Sequence, residues 1–512
     1  MFETADLGQK VAKKEFRERE LVLWTELLDV QREVRAYGRF PVLIDFAGVH
    51  GAGKGTTINL LNKWMDPRWI ITRAYGAPTD GERTRPEFWK YWRDLAPKGR
   101  IGLFLSGRYS KPLLDYVYER TSEVEFRHSL ERINAFERTL ADDGSLILKF
   151  WMYLGKDAQK QRLEAIEQDP LEQWRVTEDD WKHWEMYDRF IEAAEILITR
   201  TNTGHSPWHI VEGRDYNFRS LSVGELVRDA MSSHLETHRI NAEIHEERRK
   251  REAAAAGNQA DDGGDTGSAR NAPRTIFDSL SPSKKISKVK YRQAVKRLSG
   301  ELNTLHREAL KKGVSTVLVF EGPDAAGKGG IIRRLTSMLD AQNCDVIAIA
   351  APTEDELKHN YLWRFWKHLP RAGLMTVFDR SWYGRVLVER VEGLATTDEW
   401  ERAYAEIIDF EEQLIEHGIV LQKFWIDITN EEQKRRFNAR QEAPHKRWKL
   451  TDEDWRNRSQ WNNYRIAAHE MIQKTNTAVT PWSLIEGNDK LYARVEVMEA
   501  VARQLADAVA RA

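Results

Sequence analysis

The feature that most constrains this chain is a repeat of its own sequence at a spacing of 274 residues. The offset pairs Gly48 with Gly322, Gly53 with Gly327, Lys54 with Lys328, Lys149–Trp151 with Lys423–Trp425, and Thr201–Thr203 with Thr475–Thr477. A period this long predicts two copies of a whole domain rather than a solenoid, whose repeats span tens of residues. Because the register holds without a gap over these motifs, the two copies can be compared position by position.

Length, charge and cysteine content exclude several classes of protein. The 512 residues are enough for two or more domains, and a net charge of −1 gives no overall attraction to nucleic acid or anionic membrane. The single cysteine, Cys344, excludes an intrachain disulfide and a cysteine-rich metal site. The sequence shows no signal-peptide pattern and no apolar run that could span a membrane. We therefore expect a cytoplasmic protein with a local polyanion site and no nucleic-acid or membrane partner.

Each copy shows a charged helix, an apolar strand, a glycine loop and another helix, followed by further alternating strands and helices. Strands are expected at 40–46, 101–105 and 146–151 in the first copy, and at 315–320, 375–378 and 421–426 in the second. This alternation predicts an α/β class with two tandem P-loop kinase-like domains, each a parallel sheet flanked by helices with a helical lid. The predicted domains are residues 1–250 and 275–512, and the Ala-, Gly- and Asp-rich stretch 251–274 is predicted to be a flexible linker.

The second copy carries the loop Gly322-Pro-Asp-Ala-Ala-Gly327-Lys328-Gly329-Gly330 directly after an apolar strand. Such a loop turns successive backbone N–H groups towards a phosphate at the start of the next helix, and Lys328 would add a charge on the transferred group. A purely structural turn is the alternative. The predicted phosphate-binding residues are Gly322, Ala325, Ala326, Gly327, Gly329 and Gly330.

Carboxylates are the expected ligands for magnesium here, because the loop has glycine where many nucleotide-binding loops carry Ser or Thr for the metal. Asp324 lies in the loop, and Asp379 ends a predicted strand, where it would face the phosphates. The alternatives are a turn-stabilising aspartate and a helix cap. The first copy favours the metal site, because both carboxylates are lost together there: His50 aligns with Asp324, Leu105 with Asp379 and Ser106 with Arg380. We expect the first copy to be catalytically inactive.

A basic run occurs in the second copy only. Residues 434–449 carry seven Lys or Arg and one acid, for a net charge of +6, whereas the aligned residues 160–175 have a net charge of −1. A solvated helix face is the alternative, but the excess accompanies the copy that has both carboxylates. We therefore interpret the run as a lid that binds a highly charged anion. The main contrasts are Arg440 against Ile166 and Lys446 against Glu172.

Three motifs together resemble the polyphosphate kinase 2 family, and specifically its fused two-domain members. They are the loop at 322–330, Phe-Asp-Arg-Ser-Trp-Tyr-Gly-Arg at 378–385, and Lys-Phe-Trp-Ile-Asp-Ile at 423–428. The resemblance covers nearly the whole chain. It implies a thymidylate-kinase-like sheet with a helical lid, and transfer of a phosphate from inorganic polyphosphate to a nucleotide with Mg²⁺.

The resemblance also implies residue roles. Positions important for catalysis match Asp324, Lys328, Asp379 and Arg380, with Asp324 and Asp379 as the metal ligands. Lid cations that contact polyphosphate match Arg436, Arg440 and Lys446. The first half departs from the family pattern at His50, Leu105 and Ser106.

We therefore predict that the C-terminal domain transfers the terminal phosphate of polyphosphate to AMP and forms ADP, while the N-terminal domain replaces a second subunit. The choice of AMP follows from the resemblance to the fused members. Alternatives are ADP as acceptor, giving ATP, and ATP as donor to a nucleoside monophosphate. A scaffolding ATP-binding protein is a rival of another class, and the intact second loop argues against it. The sequence leaves a homo-oligomer open.

Overall fold

The computed structural model describes residues 2, 7–259, 275–280, 282–443 and 452–512. They divide into two compact units, which contain the described residues of 1–77, 94–267 and 357–360, and those of 78–93, 268–356 and 361–512, respectively. Two short segments, 78–93 and 357–360, are therefore grouped with the other sequence copy, a feature absent from the predicted boundaries.

The first unit is built on five strands, β1 (Val42–Gly48), β2 (Ile70–Ala74), β3 (Ile101–Leu105), β4 (Leu146–Tyr153) and β5 (Trp208–Glu212). All of its strand pairs are parallel, in the order β2-β3-β1-β4-β5. The central strand β1 is buried over six of its seven residues, as expected for a parallel sheet covered on both faces.

The second unit repeats this topology with β6 (Thr316–Glu321), β7 (Cys344–Ala348), β8 (Met375–Asp379), β9 (Val420–Asp427) and β10 (Trp482–Glu486). Its parallel order is β10-β9-β6-β8-β7, so β6 occupies the central place of β1. Both glycine loops thus start at the carboxyl end of a central strand, where ligands of open parallel sheets bind. These observations confirm the predicted fold class.

The helices in the first half of the chain are α1 (Lys13–Tyr37), α2 (Lys54–Trp64), α3 (Asp80–Arg83), α4 (Trp89–Arg93), α5 (Ser110–Val117), α6 (Glu123–Asp142), α7 (Lys156–Gln168), α8 (Glu178–Glu185), α9 (Tyr187–Thr201) and α10 (Tyr216–Gln259). Helix α10 continues nine residues into the segment 251–274, so the linker prediction is wrong for 251–259. Its run of four alanines has a high helix propensity. The rest of the predicted linker lies outside the described residues.

The second half contains α11 (Lys288–Lys312), α12 (Lys328–Thr336), α13 (Glu354–Leu357), α14 (Trp363–Trp366), α15 (Val388–Val391), α16 (Thr397–Glu416), α17 (Asn430–Glu442), α18 (Asp452–Ser459), α19 (Trp461–Thr475) and α20 (Lys490–Arg511). Aligned helices begin with the same chemistry: capping boxes start α6 at Ser122 and α16 at Thr396. Among the described helices, none combines the length and hydropathy needed to cross a membrane.

Candidate active site

The C-terminal glycine loop joins β6 to α12, and three of its residues have left-handed backbone conformations. Gly322 has a φ of +140°, and a Cβ at this position would overlap the carbonyl oxygen of Ile426 on β9. Gly327 caps α12 with a φ of +111°, and Ala325 has a φ of +62°, a region that favours glycine. All six predicted phosphate-binding residues, Gly322, Ala325, Ala326, Gly327, Gly329 and Gly330, lie in this loop or in the first turn of α12.

Lys328 is the first residue of α12, and its side chain folds back over the loop. Its ammonium group donates to the carbonyl oxygens of Gly322 and Pro323, at 2.5 and 3.3 Å. Burial lowers the pKa of Lys328 and the charge of Arg380 lowers it further, while three nearby carboxylates act in the opposite direction. The lysine is thus held over the loop, where its charge can meet a phosphate.

Asp324 accepts hydrogen bonds on both carboxylate oxygens. The Arg380 guanidinium donates to Oδ1 at 2.7 Å, and the Asn457 amide donates to Oδ2 at 2.9 Å. Burial opposes ionisation, but Arg380 and Lys328 outweigh it and keep the pKa of Asp324 below its ordinary value. Because Asn457 belongs to α18, the loop carboxylate also contacts the helix that follows the basic run 434–449.

Asp379 and Arg380 reach the loop from the end of β8. The backbone turns sharply there, since Arg380 has a φ of +66°. A Cβ built on Gly329 would lie 3.6 Å from Oδ2 of Asp379, so the carboxylate faces the first turn of α12. This is the place where the loop lacks a Ser or Thr. The structure therefore brings Asp324, Lys328, Asp379 and Arg380 together.

A third carboxylate, Glu321, was missed by the sequence analysis. It is the last residue of β6, is 4% exposed and accepts a hydrogen bond from the Ser381 hydroxyl at 2.8 Å. Burial raises its pKa, while Lys328 acts against that shift. The copy comparison contained the signal, because Ala47 is the aligned residue in the first copy.

The donor set of this site suits magnesium, which prefers hard oxygen ligands and often takes only one or two carboxylates together with substrate phosphates. No cluster of three metal-ligating side chains occurs within the described ranges. Asp379 is half-buried and close to Lys328, and it can offer carboxylate oxygens to a metal that arrives with phosphate. Asp324 would have to exchange its contact with Asn457 or Arg380 to do the same.

Arg436 requires a correction, because the sequence analysis assigned it to polyphosphate. It is 3% exposed, and every N–H of its guanidinium is directed at a protein acceptor. The acceptors are the carboxylate of Glu432 and the carbonyl oxygens of Ala325, Ala326, Gly487 and Asn488. Arg436 therefore fixes the loop from behind rather than contacting a polymer. The first copy supports this role, since the aligned Arg162 donates to the carbonyls of Gly51, Gly213 and Arg214.

The other lid cations are placed differently. Arg440 is half-buried in the last turn of α17, and its charge acts on Arg436 and Lys490. Lys446 lies outside the described residues, so its predicted role remains a prediction. Lys434 and Arg435 are exposed on α17, and Arg435 pairs with Glu432 at 2.7 Å.

Further cations extend this basic area along α20 and α12. Lys490 begins α20, and its pKa falls to about 8 through partial burial and then the charge of Arg436. Arg494 lies one turn further on, with a pKa lowered by burial and by Arg334 of α12. We call Arg334, Arg435, Arg440, Lys490 and Arg494 the basic surface. Their first-copy counterparts are all uncharged: Leu60, Gln161, Ile166, Tyr216 and Ser220.

One cavity adjoins the loop on the side of Asp324, and a second cavity shares part of its lining. The first lies between the loop and α18–α19 and is lined by Arg380, Leu387, Asn457, Trp461 and Tyr464 among others. The second has a volume of about 650 Å³ and shares Asp427, Trp461 and Arg465 with the first. Aromatic and apolar side chains next to charged groups are typical of sites for small organic ligands.

Lys423, the first residue of the third family motif, is part of a buried hydrogen-bond network in the core. Its ammonium group is fully buried and donates to Glu411 at 2.7 Å and to the Tyr383 hydroxyl at 3.0 Å. The first copy keeps the same arrangement with Lys149, Glu137 and Tyr109. A group shared by both copies does not distinguish them chemically.

The N-terminal loop has nearly the same backbone as the C-terminal one. Gly48, Gly51 and Gly53 have φ values of +120°, +78° and +91°. Lys54 donates to the carbonyl oxygens of Gly48 and Val49 at 2.8 Å each, as Lys328 does to its own loop. Even the turn after the strand is retained, since Ser106 has a φ of +52° where Arg380 has +66°. Only the side chains around the loop differ.

Comparison with known proteins agrees with this architecture. The family model described as polyphosphate kinase 2 matches residues 10–239 and 285–512, which correspond to both copies. A polyphosphate:AMP phosphotransferase of Pseudomonas aeruginosa is 42% identical over 501 residues, 98% of each chain. One from Acinetobacter johnsonii is 34% identical and covers 91% of this chain and 90% of its own.

The fold has a counterpart of the same extent among solved structures. A crystal structure from Pseudomonas aeruginosa, described as a polyphosphate kinase 2, matches with a TM-score of 0.86 at 39% identity over 99% of both chains. The family match spans both copies, and the relatives are similar over nearly their full length. This chain therefore belongs to the polyphosphate kinase 2 family.

Proposed function

We propose that this protein is a phosphotransferase that moves the terminal phosphate of inorganic polyphosphate to AMP. The observation that carries the proposal is the convergence of Lys328, Asp324, Asp379 and Arg380 on one phosphate loop. The full-length relatives from Pseudomonas aeruginosa and Acinetobacter johnsonii are named for this activity, which supports the choice of substrates.

The reaction requires an in-line displacement. An oxygen of the AMP phosphate attacks the terminal phosphorus of the polymer, the bond to the next phosphate breaks, and ADP and a polymer shorter by one phosphate leave. Lys328 and the backbone N–H groups of Gly327 and Gly329 hold the transferred group, and Arg380 balances its charge. Asp379 and Asp324 would hold magnesium, which would supply positive charge against the phosphates.

The basic surface supports a polymeric donor. Its five cations lie beside the loop in the second copy only, and burial, followed by the charges of neighbouring cations, lowers the pKa values of Lys490 and Arg494. An anionic polymer relieves this repulsion and releases counterions from the polymer as it binds. An ATP donor needs no such extended area.

The two cavities support a nucleotide acceptor on the other side of the loop. Trp461 and Tyr464 line the same cavity as Arg380, so this cavity offers aromatic surface beside a cation that can meet the acceptor's phosphate. AMP places a single phosphate there, whereas the additional phosphate of ADP would compete with the donor for the same space.

The experiment is a set of initial-rate assays on the full chain, with polyphosphate or ATP as sole donor and AMP or ADP as acceptor at matched magnesium. We expect ADP formation from polyphosphate and AMP. Activity with ATP alone would contradict the donor, and equal rates with ADP would contradict the acceptor while leaving the donor intact. Removal of metal with EDTA should abolish turnover if Asp379 and Asp324 act through magnesium.

A further inference from the structure

A second basic run leads into α11, the helix that precedes the C-terminal sheet. Residues 284–297 contain seven Lys or Arg and no acid, whereas the aligned residues 10–23 contain five basic residues and three acids. All seven side chains are exposed: Lys284, Lys285, Lys288, Lys290, Arg292, Lys296 and Arg297. The contrast between the two copies at this run repeats the one at residues 434–449.

Only two of these seven cations are neutralised by acids of the same unit. Lys284 lies 3.4 Å from Glu486, and a guanidinium nitrogen of Arg297 lies 2.7 Å from Glu499. Within the described part of the chain, the other five form no ion pair. Exposed cations without acids between them repel one another, and a bound polyanion would relieve that repulsion.

The basic run does not serve the stability of the helix that carries it. Lys288 and Lys290 lie in the first turn of α11, which contains no acid. Cations are unfavourable there, because they face the positive end of the helix dipole. The aligned helix α1 has Glu15 in its first turn, and α16, α17 and α18 of the same unit also begin with acids. A solvated face selected for stability alone would carry acids at this place as well.

Three of the unpaired cations form a stripe along one side of α11. Lys288, Arg292 and Lys296 are spaced four residues apart, so they share one side of the helix over about 12 Å. Asn303 follows on the same side two turns later, and its amide donates to the carbonyl oxygen of Met338, just beyond α12, at 3.2 Å. The stripe therefore lies on the side of α11 that faces α12. We call these three residues the α11 stripe.

The α11 stripe begins beside the basic surface. Tyr291, one turn after Lys288, hydrogen-bonds with the guanidinium of Arg494, whose charge in turn acts on that of Arg334 in α12. The topology explains this proximity. Helix α12 follows β6 and α20 follows β10, so both start at the carboxyl edge of the sheet, and the 25 residues of α11 carry its start to the same edge. The cations of all three helices thus lie at the edge where the C-terminal loop is.

We propose that the α11 stripe binds the part of the polyphosphate chain that extends beyond the basic surface. The inference rests on the proposed function, since it takes polyphosphate as the donor. It gives the protein a preference for long polymers, because phosphates that reach α11 meet further cations, whereas a chain that ends at the basic surface meets none of them. Continuity with the cations beside the C-terminal loop favours the donor over nucleic acid or an anionic membrane.

The test uses a triple variant of the full chain, Lys288→Gln with Arg292→Gln and Lys296→Gln. The matched control, Lys13→Gln with Lys14→Gln and Arg17→Gln, removes three exposed cations from α1 and changes the net charge equally. Isothermal titration calorimetry without AMP gives the Kd of long-chain polyphosphate and of tripolyphosphate at several salt concentrations. Initial rates with AMP and magnesium give KM for both substrates, and thermal unfolding compares the stability of the variants.

We expect the triple variant to raise Kd and KM for long-chain polyphosphate at least about fivefold, and to lower the salt dependence by up to about three counterions, since three phosphate contacts are lost. The Kd of tripolyphosphate and the KM of AMP should not rise with it. The control should change none of these values. The Tm of the triple variant should not fall, because two of the removed charges oppose the helix dipole at the start of α11 or follow it closely.

Unchanged affinity for long-chain polyphosphate in the triple variant would overturn the proposal, and so would an equal loss in the α1 control, which would reveal an effect of net charge alone. An equal loss for tripolyphosphate would place the stripe at the terminal phosphates instead. RNA that binds as tightly as polyphosphate and loses affinity in parallel would overturn the choice of ligand. If long-chain polyphosphate binds through the stripe but donates no phosphate to AMP, the proposed function fails while the binding site stands.

Discussion

The two glycine loops of this chain share a backbone and differ in the charges around it. Both turn through left-handed residues at aligned positions, and both fold a lysine back onto their own carbonyl groups. Among the described residues, three carboxylates and Arg380 act on the charge of Lys328, whereas Asp180 is the one carboxylate that acts on the charge of Lys54. The comparison teaches that the loop shape does not depend on the carboxylates around it, because the shape survives in the first copy, where Ala47, His50 and Leu105 replace three of them.

A second difference between the two copies lies in a buried cluster, where a new charge in one position is matched by a new charge in another. In the second copy Trp382 donates to Glu411 at 3.1 Å, and Val319 lies on the central strand. In the first copy Arg108 takes the place of Trp382 and Asp45 that of Val319, and the two pair at 3.0 Å. A new buried cation has thus been accompanied by a new buried acid, as the cost of an unpaired charge requires.

The largest effect should come from giving the C-terminal loop one residue of the N-terminal loop. Asp379→Leu, which copies Leu105, should lower kcat/KM for polyphosphate and AMP by at least about 100-fold, the scale of losing a transition-state electrostatic partner. Steady-state assays at saturating magnesium measure it. The reverse change, Leu105→Asp, should add no activity, because the first copy still has Ala47, His50 and Ser106 where the second has Glu321, Asp324 and Arg380. Substantial activity in Asp379→Leu would contradict the role given to Asp379 in distinguishing the two loops.

The buried cluster should show the next largest effect, on stability rather than rate. Asp45→Val should destabilise the first unit by about 1–3 kcal/mol, because it leaves the Arg108 donors on the Asp45 side unsatisfied. Adding Arg108→Trp, as in the second copy, should recover part of this loss and give a coupling of about 0.5–3 kcal/mol. Urea unfolding of the four proteins in this cycle measures the coupling. If the two changes in the free energy of unfolding simply add, the two replacements are not coupled.

A smaller effect is expected on the basic surface. Arg494→Ser, which copies Ser220, should raise KM for polyphosphate several-fold and leave KM for AMP unchanged. The apparent affinity for polyphosphate should also depend less on salt in the variant, since one fewer cation meets the polymer. Initial rates at several ionic strengths measure both effects. Equal changes in the two KM values would place Arg494 with the acceptor instead.

Much of the fold could be predicted because the buried strands β1, β3 and β4, and their counterparts β6, β8 and β9, have runs of apolar residues in the sequence. All four edge strands, β2, β5, β7 and β10, escaped prediction, and two of them, β2 and β7, are largely exposed. Helix α10 was expected to end near residue 250, because composition suggested a linker, but consecutive alanines extend a helix as readily as they fill a loop.

The site was predictable where a residue's role follows from its position at a strand end or in the loop, as for Asp379 and Lys328. Arg436 was misassigned because a charge run does not show which member points inward, and this one is saturated by backbone carbonyls. Glu321 was missed because it ends an apolar strand and looked like part of it. The contact of Arg219 with the N-terminal loop was also missed, since it requires knowing that α10 returns this side chain to the loop.

The central claim is that one loop catalyses and the other does not, and paired lysine variants test it most directly. We would measure kcat for ADP formation from polyphosphate and AMP in Lys328→Ala and Lys54→Ala under identical conditions, with thermal unfolding to confirm that both fold. Lys328→Ala should lose at least about 100-fold of its turnover, and Lys54→Ala should stay within a few-fold of the unmodified protein. Similar large losses in both variants would contradict the account.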